Sequence, residues 1–225
     1  MENDLELMNI QAEVLYVHDH AWRLTIINEP ISQPAPRFFW GQTKMGQVLR
    51  FRSDVPDINV EEILHIMDQD DTTAKIANVI HALGRDKPIN RVWLGPAYVC
   101  HIIEAGLTDA VLVTEHNKYC LEAGFPKLAS ELTFREPCFM VIENDMAVSV
   151  CFSARSTARA AEAGVETLEG YRGKGYARSV TSSWSRAVHE SRRIPLYSTS
   201  WDNYASQSIA RRLNLYLYGT DVSFY

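Results

Sequence analysis

The sequence predicts an α+β fold with a mixed, mostly antiparallel central sheet, and three features of the chain lead to it. Residues 1 to about 90 contain short β-rich runs separated by turns, followed by helical patterns. Residues 138–153 carry two apolar runs on either side of a short polar turn, which is the pattern of a β-hairpin. Residues 160–191 give a strand, a glycine-containing turn and a helix. We therefore expect a smaller α+β N-terminal region, residues 1–90, and a larger domain, residues 91–225.

Composition limits the classes of partner. With 225 residues, of which 46% are hydrophobic, the chain is long enough to bury a core of its own. The formal net charge of −6 argues against nonspecific nucleic-acid binding, which needs a basic surface. No apolar run approaches the ~20 residues that span a bilayer, and the acidic N-terminus lacks a signal-peptide pattern. These features predict a cytoplasmic protein with neither a nucleic-acid nor a membrane partner.

The cysteines and histidines do not predict a metal site. The four cysteines are widely separated and form no CxxC pair, so we expect buried, reduced thiols. His18 and His20 flank Asp19 and would share one side of a strand. No third ligand is evident, which favours a polar turn over a metal site.

The first region is expected to form a short antiparallel sheet and then two helices. Four runs are rich in β-branched and aromatic residues, namely residues 14–17, 23–27, 37–40 and 47–52. Residues 41–46 would connect the last two runs as a hairpin. Apolar periodicity predicts a helix over residues 58–67. A second helix is expected to begin at Asp71 or Thr72 and to stop at Gly84.

The second region should supply the central strands. Residues 91–99 are extended by their composition, whereas residues 111–114 form an apolar run too short to distinguish a strand from a helix start. The hairpin strands, residues 138–142 and 147–153, are expected at the centre of the sheet. A strand over residues 163–168 should pair beside them.

The last helices and strands also follow from periodicity. Val180, Trp184 and Val188 lie four residues apart on one helical face and should pack on the sheet. Residues 195–200 predict a strand, which is followed by a helix from about residue 201 to Asn214. A final strand, beginning at residue 215, is expected to close the sheet.

Residues 172–177 have the composition of an anion-binding loop, for which a phosphate is the expected ligand, although the glycine pair alone also fits a plain turn. They join an apolar strand to a helix, and the first N–H groups of a helix have no partner inside it. The peptide dipoles add partial positive charge at that end. Gly173 and Gly175 permit positive φ and a close approach of the backbone. No Gly-Lys-Ser/Thr ends the run and three spaced glycines are absent, which excludes a Walker loop and a dinucleotide fingerprint.

The spacing Arg172-x-x-Gly175-x-Ala177 resembles the pyrophosphate loop of the GCN5-related N-acetyltransferase (GNAT) superfamily. The segment after it is also similar to that family, with a strand leading to Asn203 and then a helix. A Gly-Phe pair that usually opens the last strand is replaced by Asn214-Leu215, and Asn tolerates the left-handed conformation needed there. The resemblance covers residues 136–225 and is weak before about residue 91.

The resemblance implies a sheet with helices on both faces and two short helices, here residues 117–124 and 125–132, on the acceptor side. It also implies use of acetyl-CoA, with the pantetheine arm in a slot between two diverging strands. The positions implied for coenzyme A are Val165 and Thr167 on the strand, Arg172, Gly173, Lys174, Gly175, Tyr176 and Ala177 in the loop, and Asn203 and Ser206 near the thioester. The implied activity is transfer of an acetyl or other short acyl group to an amine by direct attack in a ternary complex.

Two carboxylates are candidates for the general base. An acceptor amine must be neutral when it attacks, so a nearby carboxylate can take its proton. Glu162 and Glu166 lie on one face of the predicted strand because side chains alternate with a period of two. Glu166 is the better candidate, since it is nearer the expected divergence of the strands. Both residues can also be ordinary polar positions or anions that bind the acceptor.

The proton donor to the leaving thiolate is not evident. The family usually places a Tyr at the position of Ala210, so the resemblance fails there. Tyr216 is our candidate, and Tyr218, Ser206 or water are alternatives. A thiolate with a pKa near ~8.5 can also leave unaided. The departure favours a second hypothesis, in which the protein is a noncatalytic acyl-CoA-binding sensor or regulatory module. A nucleotide-binding protein that uses the same loop is a third.

The acceptor is expected to be a small-molecule or peptide amine. The acidic balance of the chain mildly favours a cationic acceptor, such as a polyamine or an aminoglycoside. The N-terminal region is expected either to complete the acceptor site or to mediate contacts in a homodimer.

Overall fold

The computed structural model describes residues 2–69, 72–101 and 109–225, and its main feature is a nine-stranded sheet. The helices are α1 (Asp4–Leu15), α2 (Asp57–Met67), α3 (Thr72–Gly84), α4 (Pro126–Glu131), α5 (Tyr176–Glu190) and α6 (Tyr204–Arg212). The strands are β1 (Tyr16–His18), β2 (Leu24–Ile27), β3 (Phe38–Thr43), β4 (Gly46–Phe51), β5 (Val92–Val99), β6 (Val111–Leu112), β7 (Cys138–Glu143), β8 (Met146–Ser156), β9 (Ala160–Thr167), β10 (Ile194–Ser198) and β11 (Tyr216–Phe224). Short 3-10 turns occur at Lys118–Leu121, Leu132–Phe134 and Glu169–Tyr171.

The main sheet is mixed and mostly antiparallel, as predicted. Its strand order is β4-β3-β11-β5-β10-β9-β8-β7-β6. The β9–β10 pair is parallel and the other pairs are antiparallel. The helix α1 packs on one face with the short helix α4 farther along, while α2, α3, α5 and α6 cover the other face. Among the described residues, no helix combines the length and the apolar character that crossing a membrane would require.

Strands from both sides of residue 90 share this sheet. The strand β3 pairs with β11 through Asp221↔Gly41, and β4 pairs with β3 at the sheet edge. The expectation that the four early runs form a sheet of their own is therefore wrong, since only β1 and β2 form a separate two-stranded sheet. The last strand also lies inside the sheet and does not close it. The division of the chain at residue 90 stays a prediction.

The helix α1 is an element that the sequence analysis missed. Residues 14–17 were predicted as a strand, but Val14 and Leu15 end this helix and only Tyr16 and Val17 are extended. The Asn3 side chain caps the helix by accepting a hydrogen bond from the Glu6 amide at 2.9 Å. An Asn followed three residues later by Glu is the pattern of a capping box, so a local signal was present.

The remaining elements agree closely with the predictions. Asn144 and Asp145 both have positive φ in the β7–β8 turn, which is the geometry of a tight two-residue hairpin. Val180, Trp184 and Val188 are fully buried between α5 and the sheet. The ambiguous run at residues 111–114 contains the strand β6. Asp71, one of the two predicted starts of α3, lies outside the described residues.

Gly95 allows the end of β10 to cross close to β5. A Cβ at this position would lie 1.8 Å from the carbonyl oxygen of Thr199, which is backbone and cannot move aside cheaply. Gly84, at the end of α3, has no atom within 4 Å of the position where a Cβ would stand. The two glycines therefore form a matched pair for testing this crossing.

We expect Gly95→Ala to lower the free energy of unfolding by about 3 kcal/mol, because the added methyl group forces β5 and β10 apart. Gly84→Ala should leave stability unchanged or raise it by up to ~1 kcal/mol, since Ala is favoured over Gly in a helix. Urea unfolding followed by circular dichroism measures both. Equal stability of the two variants would contradict the close crossing.

Candidate functional site

The strands β9 and β10 run side by side for only three residue pairs and then diverge. Their last pair is Leu196↔Glu162. Beyond it, β10 stays with β5, where the Thr199 amide donates to the Pro96 carbonyl at 3.4 Å. In contrast, β9 stays with β8 as far as Thr167. The result is an open fork in the middle of the sheet, which is the divergence that the resemblance implies.

The loop between β9 and α5 is open and rich in unpaired amides. Gly173 and Gly175 have φ of +79° and +88°, and no atom lies within 4 Å of the place where either Cβ would stand. Within the described part of the chain, the backbone amides of residues 173–177 have no hydrogen-bond acceptor. Together with the positive end of α5, they can hold an anion of phosphate size.

Basic side chains surround this loop. The Arg172 Nε donates to the Thr167 carbonyl at 3.4 Å, which holds the start of the loop against the end of β9. The Lys174 Nζ lies 3.6 Å from the Glu143 carboxylate and 4.9 Å from the centre of the Tyr171 ring. The Tyr176 hydroxyl donates to the same carboxylate. The hairpin turn between β7 and β8 therefore supports the loop through Glu143.

A groove of about 600 Å³ follows the loop to the fork, and we call it the loop groove. It is lined by Gly124, Phe125, Val165, Glu166, Thr167, Leu168, Tyr171, Arg172, Gly173, Gly175, Tyr176, Ala177, Arg178, Asn203, Ala205, Ser206, Ser208, Ile209 and Arg212. Arg178 and Arg212 were not among the predicted site residues. For Arg178 the available signal was its place in the basic stretch that begins at Arg172.

A second cavity of about 490 Å³, which we call the inner cavity, lies beside the fork. Its lining comes from β5, β9, β10 and β11 and from the N-terminal region, and consists of Leu15, Tyr16, Ile27, Glu29, Gln33, Arg91, Trp93, Arg155, Glu162, Ala163, Val165, Tyr197, Ser198, Thr199, Ser200, Asn203, Ser206, Asp221, Ser223 and Tyr225. Val165, Asn203 and Ser206 line both cavities, so the two spaces meet at the fork.

Asn203 and Ser206, predicted to lie near the thioester, contact each other. The Asn203 side-chain oxygen accepts a hydrogen bond from the Ser206 amide at 3.1 Å and thereby caps α6. The capping contact fixes this helix end where the loop groove and the inner cavity join. At the other end of α6, Asn214 adopts φ of +50°, the left-handed conformation expected there.

Glu162 is buried in the inner cavity, with 3% of its surface exposed. Its Oε1 accepts hydrogen bonds from the Ser198 amide at 2.9 Å and from the Ser198 hydroxyl at 2.6 Å. Its Oε2 has no partner among the described residues. Burial raises the pKa of Glu162, although the Ser198 hydrogen bonds act in the opposite direction. Glu166, in contrast, is exposed and lines only the loop groove.

Asp221 is a second buried carboxyl group, which the sequence analysis missed. It lies on β11 with 0% exposure, and its Oδ2 accepts a hydrogen bond from the Gln11 Nε2 at 3.2 Å. Its Oδ1 has no partner within the described ranges. Burial, and then the nearby charge of Glu162, raise the pKa of Asp221 well above its usual value. Asp221 is the one charged residue of its strand, and this was the signal available in the sequence.

The structure does not bring Tyr216 to the fork. Its hydroxyl donates to the Asp4 carboxylate at 2.9 Å, and its ring lines a different cavity together with His101. Tyr218 is buried and donates to the Gln11 side-chain oxygen. The physical reason is their position along the strand. Both residues lie in the first third of β11, whereas the residues of β11 that line the inner cavity are Asp221 and Ser223. Of the predicted hydroxyl groups, only that of Ser206 lies at the fork.

Tyr197 is a hydroxyl-bearing residue that the sequence analysis did not consider. Its ring packs with Tyr98 and with Ala210, the residue that stands where the family usually has a Tyr. Its hydroxyl donates to the Ser206 carbonyl at 3.3 Å, and the residue lines the inner cavity. Burial raises the pKa of Tyr197, which keeps the hydroxyl protonated.

The cysteines and the His18 segment lie outside this site. All four cysteines are buried and unpaired, and burial raises the pKa of Cys100 and Cys138 to about 12. Across residues 2–69, 72–101 and 109–225, no three His, Cys, Asp or Glu side chains are grouped so that they could hold a metal ion.

Comparison with known proteins finds a family model that matches part of the chain. The model of the GNAT acetyltransferase family matches residues 135–219, which include the hairpin, the fork, the loop, α5 and α6. No curated protein sequence matches the chain.

Two solved structures, with TM-scores of 0.51 and 0.50, share the fold. An acetyltransferase of the GNAT family from Colwellia psychrerythraea is 12% identical with a TM-score of 0.51, over 79% of this chain and 75% of that one. A GCN5-related N-acetyltransferase-like protein from Streptococcus suis is 15% identical with a TM-score of 0.50, over 98% of this chain and 99% of that one. A GNAT-family protein from Novosphingobium aromaticivorans is 14% identical with a TM-score of 0.48, and this chain spans 65% of its length.

The family match covers the loop, the fork and both flanking helices, and the folds agree over the wider sheet. Residues 135–219 therefore match the GNAT acetyltransferase family, and the chain as a whole shares the fold of solved structures that carry this family's name.

Proposed function

We propose that this protein transfers an acetyl or another short acyl group from coenzyme A to an amine of a small-molecule or peptide acceptor, by direct attack in a ternary complex. The observation that carries the proposal is the meeting of two cavities at the fork. One is bounded by an anion-binding loop, and the other contains a buried carboxyl group with an unpaired oxygen. An acyl donor in the first would present its reactive end to an acceptor in the second.

The residues along the loop groove fit the chemistry of coenzyme A. The free amides of residues 173–177 and the positive end of α5 match a diphosphate, and the open space at Gly173 and Gly175 lets the backbone approach it. Arg178 and Arg212 add positive charge along the groove. Coenzyme A supplies an acyl group activated as a thioester. Val165 and Thr167, on the β9 edge that β10 leaves free, would hold its pantetheine arm.

Glu162 is the proposed general base, ahead of Glu166. The expected order was the reverse, because the fork was expected near Glu166, whereas β9 and β10 part at Glu162 itself. Glu162 lines the inner cavity and has one oxygen without a partner among the described residues. Its raised pKa lies closer to the pKa of the amine that it must deprotonate. Glu166 lies on the solvent side of the loop groove.

Tyr197 is the proposed proton donor to the leaving thiolate, in place of Tyr216. Its hydroxyl lies at the fork beside Ser206, and its ring occupies the space next to Ala210. A neutral phenol with a raised pKa remains a proton donor throughout the physiological pH range. A donor on β10 would therefore replace the usual one on the following helix.

The N-terminal region is proposed to complete the acceptor site. It contributes Leu15, Tyr16, Ile27, Glu29 and Gln33 to the lining of the inner cavity. This placement supports a role in acceptor binding. A homodimer and a cytoplasmic location stay predictions.

The competing function is a noncatalytic acyl-CoA-binding module, which the absence of the usual Tyr at Ala210 favours. Release of free thiol from acetyl-CoA in the presence of an amine panel separates the two, because a binding module shows a thermal shift with CoA but no turnover. A nucleotide-binding protein would instead be stabilised by ATP and not by CoA.

The first prediction concerns the loop. Gly175→Glu should reduce CoA affinity by at least ~100-fold, because the side chain fills the open space, strains a residue with φ of +88° and adds a negative charge. Gly170→Glu is the matched control, since it adds the same charge nearby at an open position without positive φ. Calorimetric titration with CoA measures both, and retained affinity in Gly175→Glu would contradict the loop assignment.

The second prediction concerns the base. Glu162→Gln should lower kcat roughly 100-fold or more while CoA affinity stays unchanged, because it removes a general base. In the wild type, kcat/KM should rise as the pH increases through the raised pKa of Glu162, since only the carboxylate accepts a proton. This rise should disappear in the variant.

Glu166→Gln provides the comparison and should keep most of the wild-type rate. A larger loss in Glu166→Gln than in Glu162→Gln would return the role of base to Glu166.

The third prediction concerns the proton donor. Tyr197→Phe should lower kcat roughly tenfold, a modest factor because a thiolate can leave unaided, with little change in acceptor KM or in CoA affinity. Tyr98→Phe changes a neighbouring ring of the same cluster and serves as the control. Equal kcat values for the two variants would show that the Tyr197 hydroxyl has no part in turnover.

A further inference from the structure

We propose that the inner cavity selects an acceptor with two positively charged ends, which binds its reacting amine at Glu162 and a second ammonium group at Asp221. This inference rests on the proposed function and adds the acceptor class to it. It also assigns a role to Asp221, a specificity-determining residue on β11 that acts away from the reacting amine.

The first support is that each carboxyl group has one unused oxygen in the same cavity. Glu162 Oε2 and Asp221 Oδ1 are buried and have no hydrogen-bond partner among the described residues. The other oxygen of each group accepts a hydrogen bond, from Ser198 for Glu162 and from Gln11 for Asp221. Buried polar atoms normally have partners, so two free carboxyl oxygens in one cavity indicate places for donors on a ligand.

The second support is the distance between the strands that carry them. Glu162 lies on β9 and Asp221 on β11, with β10 and β5 between these strands. Three strand spacings of ~4.8 Å put the two strand axes about 14 Å apart. Both side chains lie on the same face of the sheet and line the inner cavity. A chain-like ligand with a donor at each end fits this arrangement better than one compact cation.

The third support is the balance of charge in the cavity. Arg155 is neutralised by an ion pair with Glu29, which also lines the cavity. Arg91 is exposed and lies 4.0 Å from the Tyr225 ring centre. Among the described residues, the two carboxyl groups are therefore the deep groups without a charged partner. Burial raises the pKa of each, and a bound ammonium group would favour the ionised carboxylate. The aromatic rings of Tyr16 and Trp93 in the lining suit a hydrocarbon spacer between two ammonium groups.

A purely structural role does not explain Asp221. Its contact with Gln11 requires only one acceptor oxygen, which an Asn would also provide. A buried carboxyl group with a free oxygen lowers stability when the cavity is empty. A bound cation would provide the missing partner of the free oxygen.

The test measures acceptor binding directly, by calorimetric titration of the CoA-bound protein. The probes are putrescine, cadaverine and hexamethylenediamine, each compared with the monoamine of the same chain length. We expect at least one diamine to bind roughly tenfold or more tightly than its monoamine, which corresponds to about 1.4 kcal/mol.

The variant Asp221→Asn should bring this diamine-to-monoamine ratio close to one, leave monoamine and CoA affinities unchanged, and keep or raise the Tm. Asp57→Asn is the control, because it makes the same change at a side chain with 86% exposure on α2. It should keep the wild-type ratio.

The outcomes separate this inference from the proposed function. Wild-type protein that binds CoA but shows no diamine preference overturns the inference, and no variant is needed for that result. A preference that persists in Asp221→Asn overturns the role of Asp221. Protein that binds no CoA contradicts the proposed function instead.

Discussion

The site depends on the separation of β9 from β10, and one hydrogen-bonded contact marks where it begins. After the pair Leu196↔Glu162, the Ser198 amide faces the place where β9 would have continued. The Glu162 carboxylate accepts that amide and the Ser198 hydroxyl, so the first backbone donor beyond the ladder is satisfied. On the other side, Gly95 lets the continuation of β10 lie close to β5. The fork is therefore built into the sheet, and the residue that ends the pairing also lines the inner cavity.

The same site carries groups that cost stability. Two carboxyl groups are buried, and each has one oxygen without a partner among the described residues. Each unsatisfied buried polar group costs roughly 1–3 kcal/mol, an amount that a domain stabilised by only ~5–15 kcal/mol cannot ignore. The large sheet compensates, because α1 and α5 bury apolar faces on either side of it. Such a balance between stability and unpaired groups is expected where a protein binds ligands.

The local parts of the fold were predictable and the long-range pairings were not. The β7–β8 hairpin, the loop and α5 follow from turn residues and apolar periodicity. Both are signals between residues that lie close together in the sequence. The helix α1 was missed because its last residues are also good strand formers, and the Asn3 cap was overlooked. The pairing of β3 with β11 joins residues almost two hundred positions apart, and no local pattern specifies it. The proposed order of Glu162 and Glu166 differs from the expected one for the same reason, since it depends on the point at which two distant strands separate.

The sequence by itself determined the chemistry of the loop and the family to which its spacing points, because Arg172, Gly175 and Ala177 act through backbone conformation and helix geometry over a few residues. Only the tertiary structure decided which carboxyl groups share a cavity, which hydroxyl lies at the fork, and that the N-terminal region lines the inner cavity. The physical reason is that burial and electrostatic coupling depend on strand order and register. Asp221 lies near the end of the chain, yet it reaches the inner cavity because β11 lies inside the sheet, where β3 and β5 pair with its two edges.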